Sequence, residues 1–136
     1  DTTFILPMDP TEGPLSQYKV GEWTFNKESS LNTTEATALE VDVEFTSPSG
    51  ADYRQPAFWA GDSTWKVRWS SGECGTWSCR VITEGFEFSS TFEVVEGEDS
   101  GNPLLRHGPV TISADRTHFV HADGKPFFYF ADTWWL

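Results

Sequence analysis

From Tyr18 onward, hydrophobic and polar positions alternate with period two, the signature of strands with one buried face. Leu39, Val41, Val43 and Phe45 take one parity, and Glu40, Asp42 and Glu44 the other. This strand ends at residues 47–50, Ser-Pro-Ser-Gly, where proline and glycine supply turn chemistry. A second apolar run follows around Ala57, Phe58 and Trp59. The best-defined pattern is residues 64–82, where Trp65, Val67 and Trp69 alternate with Lys66 and Arg68, and Trp77, Cys79 and Val81 with Ser78 and Arg80. It reads as a hairpin around a Ser/Gly-rich loop, pairing Trp69 with Trp77, Val67 with Cys79 and Trp65 with Val81, because a one-residue slip turns an apolar row to the wrong face. Phe86, Phe88, Phe92 and Val94 share the parity of a further strand. No stretch predicts a helix of ordinary length; residues 27–38 allow a turn or two, with threonine a poor helix former.

Six or so short strands with turns between them predict an all-β fold, an immunoglobulin-like antiparallel β-sandwich over residues 18–95. Ahead of it, residues 1–17 carry Pro7, Pro10, Gly13 and Pro14 and read as a leader or edge segment with little regular pairing. Residues 96–108 are acidic, bear Gly and Pro, and read as a linker. Residues 109–136 then begin a second unit: two short strands with turns at Ala114-Asp115 and Asp123-Gly124, followed by Phe127 to Ala131, apolar on both faces. Such a run belongs in a sheet covered on both sides, as in parallel α/β architecture. Nothing after it provides the cover, so the chain reads as the front part of a longer polypeptide.

Composition narrows the partners. The 136 residues hold 9 Lys+Arg against 21 Asp+Glu, a formal net charge of −12. That sign disfavours nucleic acid and anionic lipid, and no basic cluster overrules it. Seven Trp and eleven Phe are too many for a disordered tail and allow a packed core. No apolar run approaches the roughly 18 residues of a membrane span, and the opening DTTFILPMDP lacks a basic start. The expectation is a soluble chain, any signal peptide already removed.

Few residues suggest chemistry directly. Trp65, Trp69 and Trp77 share a face with Val67, Cys79 and Val81, which reads as sandwich core rather than a sugar-stacking platform. Trp59 and Trp23 fit the alternation less well, and Trp59 is the first candidate for a carbohydrate platform. Lys66, Arg68 and Arg80 fall on the other face of the hairpin, placed to bind acidic sugar or, as the favoured reading, to pair with surrounding carboxylates or pack against a following domain. His107, His118 and His121 have no ligand spacing; on a strand, His118 and His121 point to opposite faces, so a surface or linker role is the default. Glu96, Glu98 and Asp99 lack the alternation of a calcium loop. No metal or cofactor is expected. Asn32-Thr33-Thr34 is a glycosylation sequon.

FTSPSG (45–50), FWAGDSTWKVRW (58–69), GTWSCRV (75–81) and HGPVTISADRTHFVHADGKPFFYFADTWW (107–135) together resemble the N-terminal β-sandwich that precedes the catalytic barrel in apiosidase-like glycoside hydrolases. That sandwich is an accessory domain of unknown function. The resemblance spans roughly residues 20–135 and is most specific in its last segment. It implies that Phe127 to Ala131 is the first strand of a (β/α) barrel, with Asp132, Thr133 and Trp134 at the strand's C-terminal mouth, lining a sugar subsite. Asp132 is the strongest candidate to touch substrate; its alternative is a helix N-cap.

The departures are Cys79, where the family usually has an aromatic residue, and Cys74, which has no counterpart. An even count in a secreted carbohydrate-active protein admits a Cys74–Cys79 disulfide if the loop folds back; otherwise Cys79 is a buried thiol. The two catalytic carboxylic acids come from later barrel strands and are absent, so the chain alone is not expected to hydrolyse anything. The leading expectation is an accessory sandwich of a secreted glycoside hydrolase acting on polysaccharide side chains, its partner the catalytic barrel of the same polypeptide. An independent polysaccharide-binding module and a structural or adhesive sandwich are the alternatives. Without the barrel, residues 110–136 are expected either to be poorly ordered or to be stabilised by pairing of the uncovered strand with another copy or chain.

Overall fold

The computed structural model describes residues 7–27, 31–97 and 102–133. It divides into two compact units, Asp1–Glu96 and Gly97–Leu136.

In the first unit, strands β1 (Leu15–Ser16), β2 (Gly21–Asn26), β3 (Val41–Thr46), β4 (Asp52–Gly61), β5 (Thr64–Trp69), β6 (Gly75–Val81) and β7 (Ser89–Val95) form one sheet ordered β1-β7-β6-β3-β4-β5-β2. All neighbours are antiparallel except β1 and β7. The ten-residue β4 serves two partners: Asp52 to Ala57 pair with β3, and Phe58 to Gly61 pair with β5, the register shifting between Trp59 and Gly61. An irregularity of this kind bends a strand, and the ribbon folds over at β4 into two layers.

The layers meet through aromatic side chains that alternation turns inward. Trp23 on β2 lies 5.3 Å from Phe45 on β3 and 4.7 Å from Phe92 on β7, between ring centroids. Phe25 stacks on Phe88 at 5.0 Å, and Trp65 meets Phe86 edge-on at 5.7 Å. Val41, Val43, Phe45, Val67, Trp77 and Val94 complete a core from which water is excluded. This is a mostly antiparallel β-sandwich, the expected class.

Partner choice differs from the expected hairpin. β5 pairs with β2 and β4, whereas β6 pairs with β3 and β7, so Trp69, Val67 and Trp65 are not cross-strand partners of Trp77, Cys79 and Val81. Trp69 and Trp77 do approach, at 5.8 Å between centroids. Alternation fixes which face a residue takes but not which strand lies beside it, and the 70–74 connection carries the chain from one layer to the other. Gln17 and Tyr18 hold that connection: Gln17 Nε2 donates to Gly72 O at 2.6 Å, and Tyr18 N to Ser71 O at 2.8 Å. A Cβ on Gly72 would sit 2.5 Å from the Tyr18 ring, so only glycine fits.

Two further expectations change. Leu15, in the segment read as leader or edge with little regular pairing, is fully buried, and β1 takes the edge position by pairing with Val94 and Val95, where the preceding Pro14 costs no ladder bond. Trp23, read as a poor fit, lies at the centre of the core because β2 alternates buried Gly21, Trp23 and Phe25 with wetter neighbours. Helix α1 (Thr33–Ala38) falls within the stretch that allowed a turn or two.

The second unit holds a short helix α2 (Pro103–His107) and an antiparallel sheet ordered β10-β9-β8, from β8 (Val110–Ile112), β9 (Phe119–His121) and β10 (Pro126–Phe127). The aromatic run departs from the expected strand after Phe127. Phe128, Tyr129 and Phe130 are unpaired and 85%, 66% and 85% exposed.

Phe45 touches Trp23, Trp69 and Phe92 with no solvent exposure. Phe45→Ala is therefore expected to cost about 3–5 kcal/mol, measured by urea unfolding followed by tryptophan fluorescence; a loss under about 1 kcal/mol contradicts this packing.

Candidate functional site

The outward faces of the two layers carry the polar chemistry, and ion pairs organise much of it. On β5, Lys66 Nζ donates to Glu22 Oε1 at 2.6 Å and Arg68 Nε to Glu22 Oε2 at 2.7 Å, because Glu22 faces Arg68 across the β2–β5 register. The Lys66 hydrogen bond is the main reason that the Glu22 carboxyl lies below its ordinary range, against the opposing cost of desolvation. Arg68 also lies over the Phe58 ring, 5.1 Å from its centroid. Arg80 belongs elsewhere, since β6 lies in the other layer, where its guanidinium donates to Glu44 at 2.6 and 3.0 Å. Arg54 pairs with Asp42 on the same layer. The basic triad expected on one hairpin face is thus split between layers, each member paired with a carboxylate.

Trp59 is half-buried against the core, opposite Trp65. Its Nε1 donates to Asp62 O at 3.0 Å in the β4–β5 turn, which fixes the ring's orientation. Asn32 is exposed and caps α1: its side chain accepts from Glu35 N at 3.0 Å, while Glu35 Oε2 accepts from Asn32 N at 3.1 Å. The sequon asparagine therefore uses its oxygen locally.

Cys74 is exposed and Cys79 buried, both as free thiols. The segment from Gly75 runs extended along β6, which separates their Cα atoms by on the order of 15 Å. A disulfide needs them within about 7 Å, so the candidate bridge does not form. Burial pushes the Cys79 thiol up to about 12.

Asp132 and Thr133 are exposed beyond β10, and Trp134 lies outside the described residues. Glu98 and Asp99 of the acidic stretch also lie outside the described residues. Among the described residues, no group of three or more His, Cys, Asp or Glu is placed to hold a metal.

Of the three histidines, His121 departs from the surface or linker role expected of them. His121 is buried, its Nδ1 donating to Gly108 O at 3.0 Å, and His107 Nδ1 donates to Asp123 Oδ2 at 2.7 Å. The two rings lie 5.4 Å apart, clasping the end of α2 to the β9–β10 turn. A turn-forming Asp-Gly two residues after His121 is the only sequence signal for this clasp. His118 is exposed, 3.8 Å from Asp115.

Sequence reasoning also missed a depression of about 360 Å³ on the outer face of β3, β6 and β7, lined by Glu44, Thr46, Ser78, Arg80, Ser89 and Thr91 together with Cys79 and Ser90. Alternating Ser and Thr on a solvent-facing strand leave no mark that distinguishes such a hollow from ordinary surface.

These elements define a β-sandwich module followed by a small second unit. Residues 14–84 match the family described as "Domain of unknown function (DUF5060)", and the chain belongs to that family. No curated protein matches it. Among solved structures, a protein from Bacteroides vulgatus ATCC 8482, provisionally assigned as a glycoside hydrolase, aligns with a TM-score of 0.66 at 17% identity, over 85% of this chain and 21% of that one. The likeness is one of fold, and the chain spans about a fifth of that protein's length.

Two measurements check the local chemistry. A thiol reagent is expected to modify one cysteine, Cys74, in the folded chain and a second only on unfolding; zero free thiols contradict this placement. The Asp115 carboxyl is held down to about 2, first by the Ser113 hydroxyl and then by Thr117. Because its folded value lies below the unfolded one, its stabilising contribution is present above about pH 4 and lost as pH falls toward 2. Carboxyl-carbon NMR should give that midpoint near 2, and a midpoint near 4 contradicts the turn geometry.

Proposed function

We propose that this chain is the accessory β-sandwich of a secreted apiosidase-like glycoside hydrolase acting on polysaccharide side chains. Its last residues open the catalytic barrel of the same polypeptide. In this reading Asp132, Thr133 and Trp134 stand at the mouth of the first barrel strand. The two catalytic carboxylates come from later strands, so the sandwich supports catalysis without performing it.

The observation that carries the reading is the exposed aromatic run Phe128, Tyr129 and Phe130, with Ile112 and Phe119 also exposed in the same unit. A contiguous apolar surface of this kind marks a site where more protein packs. The likeness over a fifth of a much longer protein provisionally assigned as a glycoside hydrolase supports the same reading.

The chain taken alone is then expected to associate with itself through that surface. Light scattering after gel filtration should give a concentration-dependent mass above 15.3 kDa, and Phe128→Ser/Phe130→Ser should return it to monomer. A monodisperse wild-type monomer with the amides of residues 127–131 protected from exchange overturns the reading.

A further inference from the structure

The depression on the outer face of β3, β6 and β7 has a regular floor. The strand registers place Thr46 beside Ser78 and Ser78 beside Thr91 in one row, and Glu44 beside Arg80 and Arg80 beside Ser89 in the next. Neighbouring strands lie about 4.8 Å apart, and rows on one face about 7 Å apart. Six polar side chains thus stand on a two-by-three grid.

The hollow exists because outward positions on β6 and β7 are short. Elsewhere the outer faces carry Lys66 and Arg68, and Arg54 flanks Glu44 on the β4 side, whereas Ser78, Ser89 and Thr91 leave the floor low beside the Arg80–Glu44 pair. The hydroxyls of Ser78, Ser89 and Thr91 bond to no other described side chain or backbone group, while Thr46 donates to Asp52 at 2.7 Å. Exposed hydroxyls both donate and accept.

Charge selects the ligand class. Arg80 and Glu44, the two charged lining residues, pair at 2.6 Å, and the Asp52 carboxylate that accepts from Thr46 stands at the rim, so the hollow offers no unpaired positive charge to an anion. Its lining carries no aromatic ring to stack on a base or an aromatic residue. The remaining offer is a dense set of donors and acceptors at fixed spacing, in a volume at the lower end of small-ligand sites. The complementary molecule is neutral and hydroxyl-rich.

We infer that this grid, and not Trp59, is a binding site for a neutral saccharide, held by hydrogen bonds from Ser78, Arg80, Ser89 and Thr91. The choice of saccharide rests on the glycoside hydrolase reading, whereas the polyol chemistry rests on the grid itself. Without ring stacking, binding is weak, with dissociation constants on the order of 1 mM.

The test is an amide chemical-shift titration of the whole chain with xylohexaose, cellohexaose and arabinohexaose, and with hexagalacturonate as the anionic counterpart. Saturable shifts are expected at Thr46, Ser78, Arg80, Ser89 and Thr91 with at least one neutral probe, and weaker ones with the anion. Ser78→Leu and Arg80→Met replace exposed side chains, and each should weaken binding roughly tenfold with the spectrum otherwise native. The inference is overturned if no neutral probe shifts these amides at concentrations up to about 20 mM. It is equally overturned if the shifts cluster around Trp59, if the anion binds more tightly, or if both variants bind as wild type does. Failure here leaves self-association through Phe128 and Phe130 untouched, so the two readings fall separately.

Discussion

The wedge of Trp23 between Phe45 and Phe92 is the contact on which the sandwich depends. Centroid distances of 5.3 and 4.7 Å join β2, on one side of the fold, to β3 and β7 on the other. Only a bent β4 allows that meeting, because the same strand pairs with β3 along its first half and with β5 along its second. Aromatic pairs of this geometry contribute about 0.5–1.5 kcal/mol beyond their buried area. Once the inner faces are committed to one another, every remaining position on β2 to β7 is committed to solvent. The ion pairs of Glu22, Glu44 and Asp42 and the hydroxyl grid on β6 and β7 follow from that division.

Strand faces were legible in the sequence, and strand neighbours were not. Val41, Val43 and Phe45 could be assigned to the core from parity alone because a one-residue slip inverts a whole row. The same rule says nothing about whether Trp77 lies beside Trp69 or across the core from it. That choice rests on long-range pairing and on the Gln17 and Tyr18 hydrogen bonds to the 70–74 connection, which no local pattern encodes. Leu15 was obscured by the surrounding prolines. His121 was obscured because its partners, Gly108 O and the His107 and Phe127 rings, come from segments on either side of β9.

The candidate chemistry was legible to a similar degree. Pairing of Lys66, Arg68 and Arg80 with carboxylates was the favoured reading and is what the geometry presents; their grouping on one hairpin was not. The acidic excess is thus partly organised into local pairs, and the one lining carboxylate of the β3–β6–β7 hollow, Glu44, is paired with Arg80. The hollow escaped sequence reasoning because its property is the absence of bulk, which appears only when three strands lie side by side.

The central claim is that this sandwich works as part of a larger enzyme, and the most direct measurement is the intact mass of the protein as its native source produces it. The account predicts a mass several times 15.3 kDa, with the peptides of residues 14–84 within that product. A native product of 15.3 kDa contradicts it.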